Sequence, residues 1–371
     1  MPIEGRGPAI VMLLAAVAVT LLVCAYGRAI GEFLGVIAYP DRLRRLHNNA
    51  TPQVGGMAVL LGLVTWLTSI YLFNGTDDPG LVRAILLCGL GVGAVGFADD
   101  QSEISPVARV LLLLVFLAVA FVVNPEFITT TLKWSSFEPA TVPVWAYIVL
   151  VGAATVGVAN AVNMADGQNG VVGSMFAIWS ACLMVVTTGL SREIAAVLCV
   201  LSLVFLALNL RGKVFLGDCG SYGITFILGL LVVLAHARKE LPLETVVVWF
   251  FIPVMDCLRL LIGRPLRGES PFSGDRDHFH HRLQDKIGHT KAILSYIGAV
   301  ASTSVIATLE PRFALACLCV LSAYYFSFAW LTDANIPPAS NEQVDPAKAA
   351  TNVVALKSDR TPDIRRQGTV N

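Results

Sequence analysis

Charge is what this sequence has least of. Only 14% of its 371 residues are Asp, Glu, Lys or Arg, and mean hydropathy is +0.71. A soluble globular chain carries about 25% charge, so these values exclude that class and also a disordered chain. The 26 basic residues are matched by 26 acidic ones, so no overall basic field draws the chain to nucleic acid. The eight cysteines form no CxxC pair, and six of them (Cys24, Cys88, Cys182, Cys199, Cys317 and Cys319) lie in apolar runs. That speaks against zinc, thiol-redox and disulfide-scaffold readings. No Ala-x-Ala-like site follows the first apolar run, from Pro8 to Tyr26, before the charged loop. The run is too long for a signal-peptide core, and we read it as a retained first span. The period-2 alternation of a membrane barrel is missing as well.

What is present is apolar sequence, 56% of the chain. Runs fall near 8–27, 54–73, 81–98, 107–124, 143–160, 171–189, 194–209, 221–237, 245–263, 292–308 and 313–331. A membrane helix needs about 20 mostly apolar residues. The fold class expected is therefore all-α: a polytopic integral membrane protein with about 11 transmembrane helices. Residues 1–334 form its multi-span catalytic domain, and 335–371, polar and with Pro337-Pro338, read as a disordered tail. The loops after spans one, three, five, seven and nine hold eleven basic residues: Arg42, Arg44, Arg45, Arg211, Lys213, Arg264, Arg267, Arg276, Arg282, Lys286 and Lys291. The opposite loops hold five: Lys133, Arg192, Arg238, Lys239 and Arg312. Basic loops stay in the cytoplasm, which puts the N-terminus outside, the C-terminus inside, and the richer loops in the cytosol.

Every polar oddity falls in or beside those cytoplasmic loops. They are Tyr39 to His47 running on to Gly56, Phe97-Ala-Asp-Asp100, Asn160-Ala-Val-Asn-Met-Ala-Asp-Gly-Gln-Asn-Gly170, Phe215-Leu-Gly-Asp-Cys-Gly-Ser221, and Ser270-Pro-Phe-Ser-Gly-Asp-Arg-Asp-His-Phe-His-His-Arg282. Each alone has a plainer reading as a turn, a cap or a topology signal. Five on one face suggest one shared site. Carboxylates at membrane depth are expensive and usually functional or paired. Asp99, Asp100, Asp166 and Asp218, with the amide oxygen of Asn163, are the hard ligands that suit Mg²⁺ bound together with phosphates. Arg264, Arg267, Arg276, Arg282, His278, His280 and His281 match phosphate oxygens. Carboxylates, a hard metal and a cationic cluster describe phosphoryl transfer. At the meeting of helices and cytosol, that reaction joins a soluble phosphate compound to a membrane-held one.

These motifs resemble the polyprenyl-phosphate N-acetylhexosamine-1-phosphate transferases, of glycosyltransferase family 4, from about Arg44 to Arg282. Asn160 to Gly170 is similar to the family's Asn-Ala-x-Asn-x-x-Asp-Gly-x-x-Gly signature, and Gly217 to Ser221 to its Gly-Asp-x-Gly-Ser element. Asp99-Asp100 matches its aspartate pair. Asp275 to Arg282, preceded by Ser270-Pro-Phe, looks like the branch that uses UDP-N-acetylglucosamine or a related sugar. The UDP-muramoyl-pentapeptide branch carries consecutive histidines followed by Phe-Glu, which this chain lacks.

The resemblance implies transfer of an N-acetylhexosamine-1-phosphate, GlcNAc-1-phosphate first, from a UDP-sugar to undecaprenyl phosphate. UMP is released, and lipid-linked glycan synthesis begins, as for lipopolysaccharide or exopolysaccharide. It implies Mg²⁺ (or Mn²⁺) as cofactor, a bacterial inner membrane location and a homodimer as one assembly state. By the same resemblance Asp99 and Asp100 are catalytic, and Asp218 and Asn163 hold the metal. Asp166, Asn169, Arg264, His278, His280 and His281 bind the nucleotide sugar, and Arg45, His47 and Arg109 the lipid phosphate. Asn169 stands where bacterial members often carry Asp, Tyr39 where an Asp often opens the first loop, and Arg45 for a frequent Lys. The competing readings are the muramoyl-pentapeptide branch, a secondary transporter and a membrane scaffold. A transporter would carry its polar groups near the midplane, often with repeat symmetry, whereas here they crowd one face.

Overall fold

The computed structural model describes residues 6–39, 50–73, 75–270 and 277–333. Arg45, His47, Arg276 and the tail from 335 lie outside the described residues. The chain divides into a unit Met1–Ala329, which holds the bundle, and a unit Trp330–Asn371, of which only 330–333 are described.

Helices account for almost all of the described structure. In chain order they are α1 (Arg6–Ala25), α2 (Gly27–Leu34), α3 (Gly55–Phe73), α4 (Pro79–Ala84), α5 (Leu90–Gln101), α6 (Pro106–Val123), α7 (Val144–Ala165), α8 (Val171–Val186), α9 (Gly189–Asn209), α10 (Gly217–Ala237), α11 (Leu243–Leu266), α12 (Phe279–Ile287), α13 (His289–Leu309) and α14 (Ala314–Asp333). A π-helical turn, Ile85–Gly89, joins α4 to α5, so Pro79–Gln101 is one span. Two short antiparallel pairs complete the fold: β1 (Ile37–Ala38) with β2 (Thr51–Pro52), and β3 (Thr131–Leu132) with β4 (Ala140–Thr141).

Among the described residues nine helices are long and apolar enough to cross a membrane. A tenth candidate is the pair Ala9–Ala25 and Gly27–Leu34, bent by 67° at Tyr26. The eleventh apolar run is α8, which at 16 residues is short for a span. The protein is thus a polytopic all-α membrane protein, and each apolar run of the sequence became a helix. The first run differs in being broken. The helix beginning at Gly27 lies at a steep angle to α1, and its start packs Gly27 against Val54 and Val214. Several helices also extend beyond their apolar runs. The polar Gly217-Asp-Cys-Gly-Ser221 is the first turn of α10, because a helix continues into polar sequence wherever its amides find acceptors.

Helix α10 is the axis of the bundle. It packs on α3, α5, α7 and α8, and 89% of its apolar window is buried, more than in any other candidate span. Glycine makes the crossings close, as in small-residue packing between membrane helices. A Cβ on Gly56 of α3 would lie 2.1 Å from the Cα of Gly220, and one on Gly96 of α5 would lie 2.2 Å from the carbonyl oxygen of Asp218. These two contacts draw the ends of α3 and α5 onto the start of α10.

Candidate active site

The start of α10 is stitched into place from two sides. On one side the chain before α10 supplies acceptors: the amides of Gly55 and Gly56 donate to the carbonyls of Phe215 (2.9 Å) and Leu216 (2.8 Å). On the other, Asp100 at the end of α5 caps α10 itself. Its Oδ1 accepts from the amide of Asp218 (2.9 Å) and from Gln53 Nε2 (3.2 Å), and its Oδ2 accepts from the amide of Cys219 (3.0 Å). The local cap residue, Leu216, has no side-chain acceptor to offer. A carboxylate from another helix therefore serves the first-turn amides, where negative charge is favoured. Gly217 adopts φ +73°, and a side chain there would meet Asp100 Oδ2 at 2.8 Å.

Asp218 is held in turn. Its Oδ1 accepts from Asn163 Nδ2 at 2.7 Å, and the same amide nitrogen donates to Ser221 Oγ at 2.9 Å. Arg109, at the start of α6, lies with Nη1 3.8 Å from Asp218 Oδ2 and forms an ion pair with Asp99. Asp99 also accepts from the amide of Ile104 at 2.7 Å. The Arg109 guanidinium sits 5.7 Å from the centroid of the Tyr222 ring. Asp166 caps the end of α7. Burial, then the charges of Asp218 and Asp100, push its carboxyl well above the usual carboxylate range.

The histidines reach this centre through Gly167. His280 Nε2 and His281 Nε2 lie 2.7 and 3.0 Å from where a Cβ of Gly167 would stand, so only glycine leaves them room. His280 and His281 have ring centroids 4.2 Å apart, and His278 stacks on His280 at 5.6 Å and 16°. Gln168 Nε2 donates to Gln284 Oε1 at 3.0 Å, tying the same turn to α12. Arg264 is 1% exposed, near the end of α11.

Of the residues singled out from sequence, Asp99, Asp100, Arg109, Asn163 and Asp218 form one bonded cluster. Asp166 is within its electrostatic reach, and His280 and His281 border it across Gly167. Asn169 is drawn elsewhere: its Oδ1 accepts from Asn209 Nδ2 at 3.5 Å, beside the 209–214 loop. Arg282 and Arg267 are engaged by Asp277, at 2.6 and 3.3 Å. Sequence reading missed Gln53, Asn209, Tyr222 and Asp256. Asp256 carried a signal, a carboxylate within an apolar run. Gln53 lay within the first polar stretch without being singled out, and Asn209 carried none.

The donor set is hard: carboxylates, with the amides of Asn163 and Gln53 bonded to them through nitrogen. Among the described residues no three His, Cys, Asp or Glu converge tightly enough to form a metal site by themselves. A cation such as Mg²⁺ takes one or two carboxylates and completes its shell with water and substrate phosphates, and the carboxylates of Asp218 and Asp166 are ligands of that kind. Asp166 lies within electrostatic reach of Asp218 and Asp100, so a cation held among them would offset their mutual repulsion.

The fold and site define a multi-pass membrane protein with an acidic centre at one end of its most enclosed helix. Residues 82–236 match the model of glycosyl transferase family 4. The chain is 28% identical over 336 residues to the decaprenyl-phosphate N-acetylglucosaminephosphotransferase of Mycobacterium tuberculosis, covering 80% of this chain and 81% of the relative. It is 26% identical over 333 residues to the undecaprenyl-phosphate alpha-N-acetylglucosaminyl 1-phosphate transferase of Escherichia coli, covering 83% and 87%. A probable undecaprenyl-phosphate N-acetylglucosaminyl 1-phosphate transferase of Bacillus subtilis is 24% identical over 310 residues, covering 80% and 84%. The matched region contains Asp99, Asp100, Arg109, Asn163, Asp166 and Asp218.

Proposed function

We propose that the protein transfers N-acetylglucosamine-1-phosphate from a UDP-sugar to a polyprenyl phosphate at the cytoplasmic face, releasing UMP. The observation that carries this reading is the bonded cluster of Asp99, Asp100, Arg109, Asn163 and Asp218 at the start of α10, within the matched family region. The basic loops on the same side support a cytoplasmic site.

In this reading an oxygen of the lipid phosphate attacks the β-phosphorus of the UDP-sugar. The bond from that phosphorus to the bridging oxygen breaks, and UMP leaves with the oxygen. A phosphate monoester has its second pKa near ~6, so the attacking group is already anionic at neutral pH. The task of the protein is to position groups and neutralise charge. Asp218 and Asp166 would hold Mg²⁺, with Asn163 orienting Asp218 through its amide N–H. When bound, that cation supplies charge neutralisation on the diphosphate. Arg109 offers the lipid phosphate a cation whose direction Asp99 sets. Asp100 holds the start of α10, so that Asp218 faces the site in one orientation. His278, His280 and His281 present imidazoles to the donor's diphosphate.

The test is UMP release by the purified protein, given polyprenyl phosphate, Mg²⁺ and a panel of UDP-N-acetyl sugars, with Asp218→Ala beside it. UMP formed only with lipid, metal and intact Asp218 supports the reading and names the sugar. No UMP with any sugar, from folded protein supplied with lipid, removes it.

A further inference from the structure

Asp256 is a carboxylate in the middle of the apolar helix α11, 6% exposed. None of the five polar stretches of the sequence includes it. Ionisable groups inside spans are costly to keep, and this one is kept by four donors. The amide of Phe279 lies 3.1 Å from each of its oxygens. His278 Nδ1 lies 3.2 Å from Oδ2, Arg259 Nη2 donates to Oδ1 at 2.9 Å, and the Tyr325 hydroxyl donates to Oδ1 at 3.3 Å. Phe279 opens α12 and His278 stands at its cap position without a cap bond of its own. Asp256 thus does for α12 what Asp100 does for α10.

An ionised carboxylate only accepts hydrogen bonds, so the ring nitrogen facing it is the one that carries hydrogen. Nδ1 of His278 is then the donor. From His278 the contact passes to His280, stacked at 5.6 Å, and His280 Nε2 lies beside Gly167, 2.7 Å from where its Cβ would stand. A continuous line of contacts therefore runs from the interior of α11 to the turn that carries Asp166.

We propose that Asp256 is a positioning residue for the donor site. It fixes the start of α12 and the Nδ1-protonated form of His278, and through the stacked rings holds the histidine cluster against the Gly167 turn, where the diphosphate of the nucleotide sugar is received. The proposal rests on the transferase reading above. Asp256 itself touches no reacting group.

Two readouts test it on the full chain in lipid nanodiscs. The first needs no activity: ¹⁵N signals of the six histidines, assigned by single substitutions, report which His278 nitrogen is protonated. Nδ1 should be protonated in the parent protein, and Asp256→Ala should give a mixture of tautomers. The second is kinetic. Asp256→Ala should raise the KM for UDP-GlcNAc at least about tenfold, in the range seen when an outer partner of a liganding imidazole is lost. The KM for polyprenyl phosphate should stay within about twofold. Asp256→Asn, which keeps an acceptor oxygen and nearly the same shape, should recover part of the loss and guards against a misfolded alanine variant. Tyr325→Phe removes another hydrogen bond to the same carboxylate while keeping the ring against Phe279, and should change neither KM by more than about twofold. An unchanged His278 tautomer in Asp256→Ala, or an equal rise in KM for Tyr325→Phe, overturns the proposal. If the parent protein releases no UMP with any sugar, the transferase reading fails, and the tautomer comparison alone decides whether Asp256 orients His278.

Discussion

Asp100 holds the amide of Asp218: the two acidic residues, 118 positions apart, are joined at 2.9 Å through one residue's side chain and the other's backbone. Asp100 serves the amide of Cys219 as well, so α10 begins on a carboxylate borrowed from α5. Replacing Asp100 with alanine leaves two buried amides without an acceptor. Loss of a helix cap costs about 1 kcal/mol, and buried unsatisfied donors add to that. Asp100→Ala should therefore melt at a lower temperature in detergent, with Asp100→Asn, which keeps one acceptor oxygen, between it and the parent. An unchanged melting temperature for the alanine variant would remove the capping role.

Close helix crossing gives a second expectation. A Cβ on Gly56 would stand 2.1 Å from the Cα of Gly220, and backbone cannot yield as a flexible side chain can. Gly56→Ala should cost about 1–3 kcal/mol, the usual penalty of overpacking. Gly229, on the same helix α10, has nothing within 4 Å of its would-be Cβ. Gly229→Ala should be neutral or stabilising by up to about 1 kcal/mol, since alanine is the better helix former. Thermal unfolding of the two variants side by side checks the pair.

The ion pair between Asp99 and Arg109 brings a cation to the edge of the acidic cluster. Removing either partner strands the other. The singles Asp99→Asn and Arg109→Gln should each reduce turnover strongly, and the double variant should lose much less than the sum. The coupling expected is about 1–3 kcal/mol, as for residues in one bonded network. Additive losses would mean that the two act independently.

Metal dependence is the fourth expectation. Chelation should abolish product formation, and Mg²⁺ should restore it. Asn163 orients the Asp218 carboxylate from outside, through a 2.7 Å hydrogen bond. Asn163→Ala should raise the Mg²⁺ concentration needed for half-maximal rate about 10–100-fold, as for other partners of metal ligands. Activity that survives chelation would contradict the metal reading.

Much of this was legible in the sequence, and for identifiable reasons. Spans announce themselves because a bilayer tolerates little else than long apolar helices. Asp99-Asp100, Asn160 to Gly170 and Gly217 to Ser221 stood out because polar residues at membrane depth need a cause. The division of labour inside the cluster did not show. That Asp100 caps α10 while Asp99 pairs with Arg109 depends on helix faces meeting across the bundle, and adjacent residues in a sequence give no hint of it. Asn169 read as a site residue by its place in a motif, and its partner Asn209 is one that no local pattern marks. Asp256 stood out only as the one acidic letter in the run 245–263, and its role did not show, because its partners His278, Phe279 and Tyr325 lie outside that run.

The central claim is that a sugar-1-phosphate, and not a sugar alone, moves to the lipid. UDP-GlcNAc labelled with ³²P at the β-phosphate separates the two directly. Incubated with the protein, polyprenyl phosphate and Mg²⁺, it should place the label in the lipid fraction and release unlabelled UMP. Label recovered as UDP in the aqueous phase, with sugar on the lipid, would contradict the account.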